Sequence, residues 1–243
     1  MTGLLADLTP GVLHVWCIRL TQSDGVVRAL RKCLSAEELL RAQRYRRERD
    51  RIRYVVAHGA LRELLADCTG QSPQDVSFGR TAAGKPFLID DRGEQRLEFN
   101  LSHSGDWAVV GVALSTEVGI DIERVDPDVE VEAVAERFFS RSEFAELQGM
   151  PPDQRITAFF TAWTRKEAYA KVRGKGIFDC LRRFNLPIDP KQTPIRLTDS
   201  TDARAALSWT IYDLDIAPGY AAAVAAEGSA HRIQAMRWAP PRS

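Results

Sequence analysis

No apolar run in this sequence approaches the roughly 20 residues needed to span a bilayer. The longest candidate, residues 221–226, is a short alanine-rich strand, so no membrane partner is expected. A signal-peptide pattern is also missing: Asp7 and Pro10 interrupt the short apolar stretch at the start, and no basic flank precedes it. Charge of one sign is absent, since 33 Lys and Arg balance 33 Asp and Glu. Nothing global therefore draws the chain to nucleic acid, and any electrostatic function must be local. Cysteine is scarce, and Cys17, Cys33, Cys68 and Cys180 have neither metal-ligand spacing nor a disulfide framework. They read as free, mostly buried thiols in a cytoplasmic protein. Two catalytic signatures are missing as well. There is no G-x-S-x-G elbow, and R-T-A-A-G-K-P at residues 80–86 is not a Walker loop, because its Lys is followed by Pro and its Gly spacing is wrong.

What the chain does have is a pattern that occurs twice. Residues 12–20, rich in β-branched and aromatic side chains, read as a strand. Residues 35–49 open with a capping box, Ser35 with Glu38 three positions on, and read as a charged helix; 52–67 continues helically to a stop near Gly70. Strand candidates follow at 76–78, 87–89, 97–102 and 107–114. The second half begins with an alternating strand at 118–125 and repeats the box at Ser140 and Glu143. It then runs a long helix over about 154–173 to Gly174, and ends in strands near 195–197, 208–214 and 220–226.

The spacings agree across the halves. Trp16 precedes Ser35 by as many positions as Asp121 precedes Ser140. Counted back from Gly70 and Gly174, Arg62-Glu63 falls opposite Lys166-Glu167, and Trp107-Ala108 matches Tyr220-Ala221. The pattern predicts an α+β fold of two pseudo-symmetric halves, 1–116 and 117–243, each a small mainly antiparallel sheet packed with helices, with the active site at their interface. The halves differ where Trp16 and Ile18 stand opposite Asp121 and Glu123.

Five segments offer chemistry. In V-G-I-D-I-E-R-V (118–125) the strand period puts Val118, Ile120 and Ile122 on one face and Asp121 and Glu123 on the other. Two carboxylates at that spacing suit Mg²⁺, but a solvent-facing polar edge reads equally well from this segment alone. On the long helix, Phe160, Trp163, Glu167 and Lys171 fall on nearly one line. Taken alone this is an i,i+4 ion pair at the margin of an apolar stripe; taken with the strand carboxylates, Glu167 becomes a third ligand for the same cation. F-N-L-S-H-S-G-D (99–106) offers hydroxyls, an imidazole and open N–H groups at a strand end, which suits a phosphate, an ordinary polar turn, or a Ser–His hydrolase without its elbow. Residues 80–86 read as a turn with a basic tip. Arg41, Arg44, Arg46, Arg47, Arg49, Arg51 and Arg53 crowd one helical stretch, which is a solvated face or a grip for phosphate, RNA or an acidic partner. Arg41 and Arg53 share a side if that helix is continuous.

In this order and in one chain, R-T-A-A-G-K-P (80–86), N-L-S-H-S-G (100–105), G-I-D-I-E (119–123) and W-T-R-K-E-A-Y-A-K (163–171) resemble the Sfp-type 4′-phosphopantetheinyl transferases, with R-F-F-S-R-S-E (137–143) a further echo. The resemblance covers about 34–176. It implies two pseudo-symmetric α+β halves with coenzyme A in the cleft between them. It also implies Mg²⁺, or Mn²⁺, held by Asp121, Glu123 and Glu167 against the pyrophosphate, with Lys171 on that pyrophosphate too. Ser102 and His103 are expected on phosphates, His103 on the 3′-phosphate together with Arg41 and Arg53; Gly84, Lys85 and Pro86 are expected to line the adenine pocket, with Arg80 nearby. One departure is that some relatives carry lysines where this chain has Glu38 and Arg41, which thins the 3′-phosphate grip or passes it to another arginine.

The reaction implied is transfer of phosphopantetheine from coenzyme A to a serine of an apo acyl- or peptidyl-carrier protein, releasing 3′,5′-ADP. Glu167 is the expected base for the serine hydroxyl, and Lys171 the stabiliser of the charge that develops. The carrier is expected to dock in part on Val172, Arg173, Lys175, Ile177 and Phe178, and the fused halves suggest a monomer. Two other classes draw on the same features: a Mg²⁺-dependent nucleotide or pyrophosphate hydrolase, and a non-enzymatic binder of RNA or an acidic protein through the arginine run.

Overall fold

The structure, a computed structural model, describes residues 8–82, 84–89, 96–173, 181–182, 184–198, 208–228 and 231–240. Strand β1 (Val12–Arg19) leads into helices α1 (Asp24–Cys33), α2 (Ala36–Gln43) and α3 (Glu48–Thr69). Strands β2 (Ser77–Arg80), β3 (Pro86–Ile89), β4 (Leu97–Ser104), β5 (Trp107–Leu114) and β6 (Val118–Arg124) follow. Helices α4 (Val131–Phe138), α5 (Arg141–Gly149) and α6 (Pro152–Arg173) precede β7 (Ile195–Thr198), β8 (Ser208–Asp213), β9 (Tyr220–Glu227) and β10 (Arg232–Arg237). Among the described residues no helix is long and apolar enough to cross a membrane. The expected stop at Gly174 lies outside the described residues.

Two four-stranded sheets carry the fold, ordered β10-β1-β5-β4 and β6-β9-β8-β7; β2 and β3 form a separate hairpin. All neighbours are antiparallel except β10, which runs parallel to β1. Strand periodicity explains the layers. Trp16 and Ile18 on β1, and Leu20 just after it, pack with Leu30, Val56, Ala60 and Leu64 of the first helices. Leu13, Val15 and Cys17, on the opposite face, pack with Val118, Ile120 and Ile122 of β6 and with Val224 of β9. The far side of the second sheet, through Ala223 and Ala225, takes Ala168, Tyr169 and Val172 of α6. The order is therefore helices, sheet, sheet, helix, with both sheets covered on each face.

The local signals work as the chemistry requires. Both capping boxes form: Ser35 and Ser140 each accept from the backbone three residues on, and Glu38 and Glu143 each reach back to the cap N–H at 2.8 Å. Gly70 ends α3 with φ 69°, a conformation that costs glycine little.

The expected single helix over 35–49 is corrected. Helix α2 stops at Gln43, Arg47 is extended, and α3 starts at Glu48. Charge explains the break: Arg41 suits the C-terminal end of one helix dipole, while Glu48 and Asp50 suit the N-terminal end of the next. Arg41 and Arg53 consequently do not share one helix face. Three elements had no counterpart in the sequence reading: α1, capped by Ser23; α4; and β10, which falls after residue 117 yet joins the first sheet.

Candidate active site

Strand β4, at the edge of its sheet, and strand β6, at the edge of the other, are joined by side chains. Asn100, Ser102 and Ser104 alternate along β4 and so share one face. Asn100 Oδ1 accepts from Ile120 N at 2.9 Å, and Ser102 Oγ donates to Asp121 Oδ1 at 2.8 Å. Ser104 Oγ donates to Glu123 Oε2 at 2.7 Å and accepts from Arg124 N at 3.1 Å. The expected strand end at Ser102 is corrected by the same geometry: β4 continues through Ser104, which pairs with Trp107, so this segment is a ladder rather than an open turn.

On the other side of β6, Gly119, Asp121 and Glu123 face α6. A Cβ at Gly119 would run into the Ala168 carbonyl oxygen and stand 2.7 Å from Val172 N. Glycine here is what lets the helix approach closely, and the approach delivers Glu167 and Lys171, on either side of Ala168, to Asp121. Lys171 Nζ donates to Asp121 Oδ1 at 2.6 Å, to Ser102 Oγ at 2.9 Å and to the Ile120 carbonyl at 3.1 Å.

Asp121 is buried, and among the described residues its Oδ2 is shut from solvent without a hydrogen-bond partner. An orphaned buried oxygen costs roughly 1–3 kcal/mol or more, so something is expected to meet it. Burial, then the charges of Asp121 and Glu123, push Glu167 up to about 7 against the opposing pull of Lys171. Glu123 is raised too, by burial and by Asp121, although Ser104 and Lys171 oppose the shift.

Asp121, Glu123 and Glu167 form an all-oxygen donor set, the kind a hard divalent cation takes. Among the described residues no three His, Cys, Asp or Glu side chains are arranged close enough to hold a metal as they stand. The donor chemistry and the orphaned oxygen nevertheless fit such an ion.

A cleft of about 780 Å³ lies between α2, α3, the β2–β3 hairpin and β4. Arg41, Arg80, Pro86 and His103 line it, as do Tyr54, His58, Arg62 and Phe78. Burial lowers the His103 pKa, and His58, Lys171, Arg53 and Arg41 lower it further, although the residue keeps part of its surface open to solvent.

Other expected site residues are engaged elsewhere. Ser102 is committed to Asp121 and Lys171. Arg53 is paired with Asp106 and Asp50. Lys85 donates to the Val118 carbonyl at 3.2 Å, where burial lowers its pKa and Glu98 and Glu117 oppose the shift. Gly84, with φ 84°, forms the hairpin turn, and its carbonyl accepts from Arg80 at 3.2 Å. Tyr54 and His58 were missed by the sequence reading. Their i,i+4 spacing is the one signal in the sequence, and by itself it fits an aromatic pair on a buried helix face as well as a cleft wall. Of the expected docking residues, Lys175, Ile177 and Phe178 lie outside the described residues.

An oxygen-only acidic cluster, an ammonium held within it and a basic cleft alongside are what a phosphate-transferring site requires. Comparison with known proteins gives the class its name. Residues 117–225 match the 4′-phosphopantetheinyl transferase superfamily, and residues 21–115 match the family described as 4′-phosphopantetheinyl transferase, N-terminal. The chain is 35% identical over 216 residues to the 4′-phosphopantetheinyl transferase HetI of Nostoc sp. (strain PCC 7120), covering 89% of this chain and 88% of that one. It is 34% identical over 180 residues to a 4′-phosphopantetheinyl transferase of Bacillus subtilis, covering 73% and 77%. It is 30% identical over 194 residues to the 4′-phosphopantetheinyl transferase Sfp of Bacillus subtilis (strain 168), covering 79% and 82%. The chain belongs to the 4′-phosphopantetheinyl transferase superfamily and is a transferase enzyme.

Proposed function

We propose that this enzyme moves the 4′-phosphopantetheine arm of coenzyme A onto a serine of an apo acyl- or peptidyl-carrier protein, and that the acidic cluster is where the phosphorus chemistry occurs. The observation that carries the assignment is the meeting of Asp121, Glu123, Glu167 and Lys171 from two elements, with one carboxylate oxygen left unpartnered.

Asp121, Glu123 and Glu167 would hold Mg²⁺, or Mn²⁺. Bound there, the ion would supply charge neutralisation at the pyrophosphate. Arg41, Arg80 and His103 present positive or hydrogen-bonding groups to the nucleotide end of the coenzyme, and Pro86 and Phe78 supply apolar wall. Glu167 takes the proton of the attacking serine hydroxyl. Lys171, oriented by Ser102 and the Ile120 carbonyl, stabilises charge on the departing phosphate oxygen.

The two sequence halves, 1–116 and 117–243, are read as pseudo-symmetric, with the site between them. Support comes from β1-β5-β4 and β6-β9-β8, which run in matching order. Support comes also from the twin capping boxes, whose glutamates hold Arg62 and Lys166 respectively. With both halves in one chain, a monomer in the cytoplasm is the simplest working form.

Intact-mass spectrometry of a purified apo carrier protein incubated with the enzyme, coenzyme A and Mg²⁺ tests the reading. A gain of one phosphopantetheine, abolished by EDTA, is expected. No gain on carriers from fatty acid, polyketide and nonribosomal peptide systems would overturn it. Coenzyme A cleaved without carrier would favour the hydrolase instead.

A further inference from the structure

His58 has no part in the chemistry described above, yet it stands on the wall of the cleft with its orientation fixed from two sides. Its ring stacks on Tyr54 with centroids 4.0 Å apart and planes 29° apart, which fixes the face it presents. Its Nδ1 is turned to Glu38 Oε1 at 3.7 Å. Glu38 is itself immobilised, because its Oε2 accepts from the Ser35 backbone at 2.8 Å and from Arg62 Nε at 2.7 Å. An imidazole whose Nδ1–H faces a fixed carboxylate carries Nε2 on the opposite side of the ring; Nε2 accepts in the neutral tautomer and donates to a phosphate as the imidazolium, the form that a carboxylate on one side and a bound phosphate on the other both favour.

The surroundings define what that donor meets. Arg41, on α2, lines the same cleft and lies over the Tyr54 ring, its Cζ 6.0 Å from the centroid. His103, from β4, lines it too, and His58 is near enough to depress the His103 pKa. Arg62 is already occupied by Glu38 and by the Pro73 and Val76 carbonyls at 2.9 Å each. Arg41 of α2, His58 of α3 and His103 of β4 thus bring one guanidinium and two imidazoles to the cleft, with Glu37 of α2 and Asn100 of β4 also on its lining. That trio suits a compact phosphate, while the apolar wall that an adenine ring needs is supplied by Phe78 and Pro86 of the hairpin.

We infer that His58 is a specificity-determining residue of the nucleotide cleft, donating with Arg41 and His103 to the 3′-phosphate of coenzyme A. This rests on the reading that the cleft takes the nucleotide end of that substrate. It also gives the acidic Glu38 a role on the binding side, because its carboxylate orients the imidazole.

The test compares coenzyme A with 3′-dephospho-coenzyme A in binding to the full chain by calorimetry and in carrier modification. His58→Ala is expected to weaken coenzyme A by about tenfold or more, the loss of one charge-assisted hydrogen bond. It should leave 3′-dephospho-coenzyme A within about twofold of wild type and kcat at saturation nearly unchanged. His58→Gln, which keeps a donor, should recover part of the loss. Equal weakening of both ligands would show that His58 only supports the cleft wall, and no weakening of either would show that it takes no part; each result overturns the inference. If wild-type enzyme binds the two coenzymes equally, the reading of the cleft itself fails, and the assignment of His58 falls with it.

Discussion

Lys166 Nζ stands 2.9 Å from Glu143 Oε1, and both side chains are shut away from solvent. The ammonium also donates to the Leu181 and Phe184 carbonyls, while the other oxygen of Glu143 closes the capping box of α5. Arg62 repeats the arrangement at Glu38, reaching the Pro73 and Val76 carbonyls after its own helix. Each long helix is thus fastened by one buried cation to the start of the short helix before it and to the loop behind it.

Removing one member of such a pair leaves a buried charge without its counterpart. Lys166→Met is expected to cost about 3–5 kcal/mol in urea denaturation. The double variant Lys166→Met, Glu143→Gln should cost less than the sum of the single changes, because no lone charge remains. Additive losses would show that the two residues act independently.

Glu38 gives a prediction in acid. Burial raises its pKa, but the His58 imidazole beside it, the hydrogen bond from the Ser35 backbone and the nearby Arg62 outweigh this and bring it down to about 2. A carboxyl depressed on folding adds stability above its unfolded value near 4.5, and that stability is lost as pH falls through about 2. The contribution is of order 3 kcal/mol. Glu38→Gln should therefore lower stability at pH 7 and flatten the loss between pH 5 and 2, measured by denaturant titration at each pH. Parallel profiles for the two proteins would contradict the assignment.

Glu167 behaves with the opposite sign. Its pKa is raised to about 7, so its protonated form favours the folded state, and stability falls as pH climbs from about 4.5 to about 7. In EDTA, Glu167→Gln should match wild type near pH 4.5 and melt at higher temperature by pH 7.5. The same variant should lose carrier-modifying activity by about a hundredfold or more. A variant that melted lower at pH 7.5 would remove the case for repulsion within the cluster.

Gly119→Ala tests the helix approach. The new methyl would meet backbone of α6, which cannot step aside as a flexible side chain can. A stability loss of about 1–3 kcal/mol is expected. The activity loss should be larger in proportion, because Glu167 and Lys171 flank the displaced residue. Full activity in a destabilised variant would show that the cluster tolerates the shift.

Much of the fold was legible locally. The capping boxes at Ser35 and Ser140, the stop at Gly70 and the alternation of 118–124 all appear where the spacing put them, since caps and strand faces are set by residues within three or four positions. The long second helix appeared as well, beginning two residues earlier at Pro152. Strand β10 was not legible, because its partner β1 lies some two hundred residues away and its own pattern is plain. The break between α2 and α3 was obscured by reading seven arginines as one face instead of reading Arg41 and Glu48 as two opposed helix ends.

At the site, the sequence alone determined which residue types could act: carboxylates alternating on one strand, a Glu and a Lys one turn apart on a helix, a Ser and a His beside a glycine. Only the tertiary structure decided how these groups are used. Ser102 binds Asp121 and Lys171 because the ladder to β6 places it there, and Lys85 reaches the Val118 carbonyl because the hairpin folds toward β6. Arg53 turns to Asp106, and His58 enters the cleft because Glu38 and Tyr54 hold it from both sides. Hydrogen bonds and ion pairs act over about 3–4 Å. Which partners come within that reach depends on how strands, sheets and helices pack, and residue spacing along the chain does not contain that information.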